Sequence, residues 1–175
     1  MRARNAQATR LGEPGVIVRD ARPDELAGIG DLRVAAYRAD GFLPADSGYA
    51  ATLHALGADG EGEVLAAVDD GQIVGTIMLQ AWPSGEMVQG AGEAEVRALA
   101  VAPHARGRGV GAALVGAVIE RAASRGVRRL LLLTLPQMGA AHRLYTEAGF
   151  ARLPERDWSP RPGAILLAYG LMLTP

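Results

Sequence analysis

The chain has 175 residues, 49% of them apolar and 21% charged, which suits a single globular domain and excludes wholesale disorder. A formal charge of −1 supplies no global field to recruit nucleic acid or an anionic membrane. Cysteine is absent and all 18 basic side chains are arginine, so disulfides, thiolate metal sites, thiol nucleophiles, a Schiff-base lysine and a Walker-type phosphate lysine are excluded together.

Residues 1–15 are polar, basic and end in Gly-Glu-Pro-Gly, which reads as a disordered leader in front of one domain over 16–175. No run approaches the roughly 20 apolar residues of a membrane span, so the expected setting is the cytoplasm. Val16 to Val18 predicts a short strand. Arg22-Pro23-Asp24-Glu25 opens a helix, and Leu26, Ile29, Leu32 and Ala36 recur at helical spacing to about Tyr37. A loop over Asp40 to Gly48 leads to a short helix, Tyr49 to Leu56. Glu63 to Val68 and Gln72 to Leu79 predict a hairpin turned by Asp69-Asp70-Gly71. Trp82 to Gly92 is a glycine-rich loop. Glu93 to Val101 predicts a strand, and Gly109 to Arg125 a helix stopped by Gly126. Arg129 to Thr134 is a buried strand, Gly139 to Ala148 a helix closed by Gly149, and Ile165 to Met172 a final strand. The pattern is α/β (α+β), with a mixed, mostly antiparallel sheet flanked by helices.

The most informative segment is Arg106-Gly107-Arg108-Gly109-Val110-Gly111, three glycines and two arginines where a strand feeds a helix. Helix N-termini carry unpaired N–H groups and partial positive charge, glycine lets an anion approach the backbone, and arginine adds charge-assisted bonds. A tight turn with solvated arginines is the plainer reading. Gly107-Arg108-Gly109-Val110-Gly111-Ala112 also satisfies the dinucleotide glycine pattern. Two features oppose a nucleotide fold: Pro103 to Arg106 separate the glycines from their strand, and Leu130 to Thr134 carries no acidic residue for a ribose.

Arg106-x-x-Gly109-x-Gly111 resembles the Q/R-x-x-G-x-G/A signature of the GCN5-related N-acetyltransferase (GNAT) superfamily. Leu99-Ala100-Val101-Ala102-Pro103 is similar to that family's L-x-V-x-P strand end. Ala141-His142-Arg143-Leu144-Tyr145-Thr146-Glu147-Ala148-Gly149-Phe150 is similar to its A-x-x-L-Y-x-x-x-G-F segment, and Asp31-Leu32-Arg33-x-x-x-Tyr37 to its first helix. The resemblance runs from about Val16 to Met172.

It implies a sheet with two splayed strands at an acetyl-CoA site and direct acetyl transfer to an amine, either a small molecule or a protein amine. Leu99, Ala100 and Val101 would run beside the pantetheine arm. Arg106, Gly107, Arg108, Gly109, Val110, Gly111 and Ala112 would cradle the pyrophosphate. Tyr145 matches the tyrosine that serves relatives as general acid, although Ala141, Leu144, Tyr145 and Ala148 also form a core-type stripe. Glu95, eleven residues before Arg106, matches a glutamate base; the competing role is an ion pair with Arg97, and a water relay is a further alternative. By period two, Glu93, Glu95, Arg97, Leu99 and Val101 are expected on one face. Met138 stands where many relatives carry asparagine, with Gln137 beside it as a substitute amide.

Tyr37, Asp40, Phe42, Tyr49, His54 and Trp158 are candidates for the acceptor pocket, with Asp40 or Asp157 drawing a cationic amine. His54, His104 and His142 show no metal-ligand spacing, so no metal is expected. Arg125 to Arg129 reads as a solvated turn or a flank for a CoA phosphate. Nucleic acid and membrane are not expected partners, and a homodimer is left open. A non-catalytic acyl-CoA-binding or sensing module is the alternative reading.

Overall fold

The computed structural model describes residues 15–174, so the expected leader lies almost wholly outside the described residues. In chain order the elements are β1 (Val16–Asp20), α1 (Leu26–Ala39), α2 (Tyr49–Ala55), β2 (Glu63–Asp69), β3 (Gln72–Ala81), β4 (Glu93–Val101), α3 (Val110–Ser124), β5 (Arg129–Thr134), α4 (Gly139–Glu147), β6 (Ala151–Arg152), β7 (Trp158–Arg161) and β8 (Ala164–Met172). The strands form one sheet in the order β1-β2-β3-β4-β5-β8-β6, with β7 paired to β8. Every pairing is antiparallel except β4 with β5.

Local chemistry accounts for most boundaries. Asp70 and Gly71 both take positive φ, 48° and 77°, the two-residue turn whose twist matches a hairpin. Ahead of α1, Glu25 accepts the Arg22 backbone N–H at 2.8 Å and the Arg19 guanidinium at 2.8 and 2.9 Å. Pro23 opens the single 3-10 turn in between. The segment after Phe150 departs from expectation: it holds two further strands. β6 is only two residues long and β7, Trp-Ser-Pro-Arg, is exposed throughout, so neither carries the alternation that marks a half-buried strand.

Period-two alternation sorts the faces. Along β2, Leu65 and Ala67 turn into the main core with Ile77, Leu79, Val110, Leu114 and Val118, beneath α3. Val64 and Ala66 turn the other way with Met78 and Ile29 of α1. Gly75 of β3 lets α3 come close, since a Cβ there would stand 2.9 Å from Leu114 and 3.1 Å from Val110. Tyr145 of α4 joins the α3-side core with Leu130, Leu132, Phe150 and Tyr169. Leu131 faces the opposite side with Met87 and Ala168. The helices therefore divide as α1 and α2 on one face and α3 and α4 on the other.

Candidate active site

Strands β4 and β5 pair only at Glu93–Arg129, Ala94–Leu130 and Glu95–Leu131, after which they part. From Val96 onward β4 keeps its bonds to β3 but has no strand on its other side. Within the same stretch β4 carries a bulge: Thr76 pairs Ala100 and Met78 pairs Arg97, so two residues, Ala98 and Leu99, oppose one. Ala98 has φ 54°, an uncommon value for a residue with a Cβ. The bulge corrects the expectation that Glu93 to Val101 present one continuous face. Glu95 and Arg97 turn toward α1, whereas Leu99 and Val101 pack against the α3-side core with Ala94 and Val96.

The bulge also decides which backbone groups are spent. Ala102 N–H donates to Val74 at 2.8 Å, and two residues back Ala100 pairs Thr76, so Ala100 and Ala102 bond toward β3. Leu99 and Val101 then direct their peptide groups into the gap left by β5. Of these, the Val101 carbonyl accepts from Nε and Nη2 of Arg106, both at 3.3 Å. Arg106 also pairs with Asp40. One of the acids expected to draw an amine is therefore tied to the glycine loop.

At the far end of β4 the loop turns twice through left-handed backbone, Gly107 at φ 75° and Gly109 at φ 78°. Nothing stands within 4 Å of a Cβ at either position, so both face open space. Gly109 precedes α3, and no side chain caps that helix end. Gly111 differs: a Cβ there would lie 2.8 Å from Leu144, so it permits the close approach of α3 to α4. The Arg108 guanidinium pairs with Asp69 at 2.8 Å. Val110 is buried in the core and Ala112 is exposed on the first turn of α3.

Tyr145 is 7% exposed, with its ring 5.8 Å from Phe150 and 6.4 Å from Tyr169. Burial pushes its phenol well above the ordinary value, and Tyr37 acts in the same direction. Tyr37 belongs to α1, on the other face of the sheet. Burial likewise raises Tyr37, to about 12.

Glu95 is buried, and its Oε2 accepts the backbone N–H groups of Glu86 at 2.8 Å and Met87 at 3.3 Å. It anchors the Trp82–Gly92 loop. Burial raises its carboxyl above the ordinary range, opposed by Arg97 3.8 Å away and by the two N–H donors. That loop borders a cleft of about 240 Å³ lined by Glu86, Met87, Leu133, Glu155 and Trp158. Trp158 and Asp157 both line that cleft, and Asp157 is also held by Arg152 at 2.7 and 2.8 Å and by the Ala168 N–H at 2.7 Å. His54 pairs with Asp31 at 3.0 Å. Arg125 binds Glu63 and Arg129 lies 3.7 Å from Glu93, so much of the expected arginine cluster is spent within the fold. Among the described residues no group of side chains could hold a metal ion.

The model of the Acetyltransferase (GNAT) family matches residues 26–150, most of this architecture. The chain belongs to the GNAT family. Its relatives include a mycothiol acetyltransferase of Cellulomonas flavigena, 36% identical over 91 residues, which are 50% of this chain and 26% of that protein. An N-acetylaspartate synthetase of Danio rerio is 35% identical over 97 residues, 55% of this chain and 32% of that protein. The match thus spans a third or less of these curated relatives. Among solved structures, a GNAT acetyltransferase of Staphylococcus aureus Mu50 superposes with a TM-score of 0.73 at 16% identity, covering 91% of this chain and 99% of that one. An acetyltransferase of Salmonella typhimurium, solved with its cofactor acetyl-CoA, gives 0.66 at 19% identity, covering 91% and 95%. These two likenesses establish the shared GNAT fold.

The β4 bulge and the unpaired buried edge of Arg33, described below, were not legible in the sequence. Ala98 is an ordinary strand residue. Position 33 falls on the buried stripe of Ile29 and Ala36, but nothing in the sequence marks an arginine there as unpaired.

Proposed function

We propose that this GNAT chain transfers an acetyl group from acetyl-CoA directly to an amine. The observation that carries the reading is the parting of β4 from β5 beyond Glu95–Leu131, which leaves the Leu99 and Val101 peptide groups facing a gap that ends at the open Gly107–Gly109 turn. An extended amide-bearing arm fits that edge as a strand would. Its diphosphate would meet the backbone N–H groups of the uncapped α3 N-terminus. Arg106 would have to release or share the Val101 carbonyl. The curated relatives named as an acetyltransferase and an N-acetylated-product synthetase support the same chemistry.

In the reaction the amine lone pair forms a C–N bond to the thioester carbonyl carbon, the C–S bond breaks, and the sulfur takes up a proton while the nitrogen loses one. Tyr145 is assigned as the proton donor to the departing thiolate. Burial keeps its phenol protonated throughout the neutral range. Glu95 is assigned as proton acceptor for the amine, directly or through water. Its raised carboxyl is suited to that task better than an exposed glutamate, although its two N–H donors also give it a fixed structural duty.

The test is a thiol-release assay with acetyl-CoA across a panel of amines, beside calorimetric titration with acetyl-CoA, CoA and NADPH. With no cysteine in the chain, a thiol reagent reports CoA against no protein background. Saturable acetyl-CoA binding with amine-dependent thiol release supports the assignment. Binding without turnover across the panel would favour an acyl-CoA-sensing module.

A further inference from the structure

Arg33 lies in α1 with none of its surface exposed, and among the described residues it has no acidic partner. Nη1 donates to the carbonyls of Leu56 at 2.7 Å and Leu53 at 3.3 Å, closing the C-terminal end of α2. Nε and Nη2 are buried and make no hydrogen bond among the described residues. A guanidinium is rarely left this way, because each unmade bond to a buried charged donor costs more than an ordinary polar one.

The two unpaired atoms are not a random pair. Nε and Nη2 form the side edge of the guanidinium, two parallel N–H vectors that match the two oxygens of a carboxylate. The groups acting on Arg33 are Tyr37, Tyr49 and a second cation, Arg97. Arg97 bonds Gln80 at 3.1 Å and stands 3.8 Å from Glu95 and 3.9 Å from Glu86, the latter on the rim of the Trp158 cleft. Arg97 therefore links the surroundings of Arg33 to the carboxylates of Glu95 and Glu86. One of the arginines has an empty bidentate edge.

We propose that this edge receives the carboxylate of the acetyl acceptor, so that the acceptor is an amino acid or another amine carrying a carboxylate. The inference rests on the acetyl-transfer reading and narrows its substrate class. It gives each charge of a zwitterionic acceptor a counterpart: the carboxylate meets Arg33, with Arg97 nearby, and the ammonium meets the acidic side at Glu95 and Glu86. Reaching Arg33 requires the end of α2 that it bonds to shift, because the guanidinium is fully covered in this structure. A polyamine, with no anionic group, leaves the Nε–Nη2 edge of Arg33 unpaired.

The test measures kcat/KM for glycine, L-alanine, L-leucine, L-phenylalanine and L-aspartate, each beside its α-carboxamide, with acetyl-CoA saturating. The expected result is a preference of about tenfold or more for at least one acid over its amide. That ratio should fall toward one in Arg33→Met and recover in part in Arg33→Lys, which retains the charge without the bidentate edge. A ratio near one for every pair in the unaltered protein overturns the proposal and assigns the edge to buried water. So does acetylation confined to amines without a carboxylate, or a ratio that survives in Arg33→Met. The unaltered protein's ratio decides even if Arg33→Met fails to fold through loss of the α2 cap. If no amine on the panel is turned over, acetyl transfer itself fails. Calorimetry of the N-acetyl amino acids against their amides, in the presence of CoA, then decides the carboxylate site separately: a preference for the acids supports it, and equal or absent binding overturns it.

Discussion

Replacing Gly109 by alanine isolates the backbone from everything else at the loop. The residue has φ 78°, yet a Cβ built there meets nothing within 4 Å, so the substitution introduces no clash and removes no packing. What remains is the left-handed conformation itself, which costs an L-residue about 1–2 kcal/mol. Alanine also narrows the unfolded ensemble, which favours the folded state by roughly 0.4–1 kcal/mol and offsets part of that strain. A net loss of about 0.5–1.5 kcal/mol should lower the melting temperature by roughly 1–6 °C for a chain of this size. Asparagine tolerates this region better, so Gly109→Asn should lose less than Gly109→Ala, and Gly109→Val should lose most. Differential scanning calorimetry gives that order, and titration with acetyl-CoA gives the second half of the argument. A Cβ in the open space over the turn should weaken cofactor binding well beyond the small loss of stability. Gly109→Ala melting like the parent and binding acetyl-CoA with the parent's affinity would refute both the positive φ and the cradle.

Tyr145→Phe should reduce kcat by roughly 10²-fold or more while changing stability little, since the ring's packing on Phe150 and Tyr169 is kept; steady-state kinetics with calorimetry checks both. Glu95→Gln should lower kcat and flatten the pH dependence of melting. The folded carboxyl is raised, so its ionisation costs stability: the melting temperature of the parent should fall as pH rises from the ordinary carboxylate value of 4.5 through the raised one, and the glutamine variant should lose that slope. Leu114→Ala, at a fully buried position facing Gly75, should destabilise by about 2–5 kcal/mol in urea unfolding, with no effect specific to the acceptor.

The fold was legible wherever chemistry is local. Asp70-Gly71 announces its turn because few other pairs accept two positive φ values, and the α3 face reads from Val110, Ala113, Leu114 and Val118 because burial follows the helical period. The glycine loop was legible for the same reason, since Gly107 and Gly109 do adopt the backbone that favours glycine. The bulge was not. It is imposed by pairing with β3 and sits on Ala98, so strict alternation misplaced Leu99 and Val101 relative to Glu95. Nor could spacing show that Asp40 and Asp157 are tied to Arg106 and Arg152, because those pairings depend on loops meeting in three dimensions. β6 and β7 escaped notice as short edge strands whose residues are mostly exposed.

The three rungs between β4 and β5 have a mechanical meaning. They join the four-strand half β1–β4, which α3 spans, to the half formed by β5, β8, β6 and β7. An arm lying along Leu99 and Val101 would act as additional rungs at the short seam between the two halves of the sheet. Amide exchange at Leu99 and Val101, which face that seam, should therefore slow on loading the cofactor more than exchange in the β2–β3 hairpin, which is already fully laced. Ligand occupancy and the cohesion of the two halves would then be one quantity, with the cofactor serving as a temporary strand of the sheet.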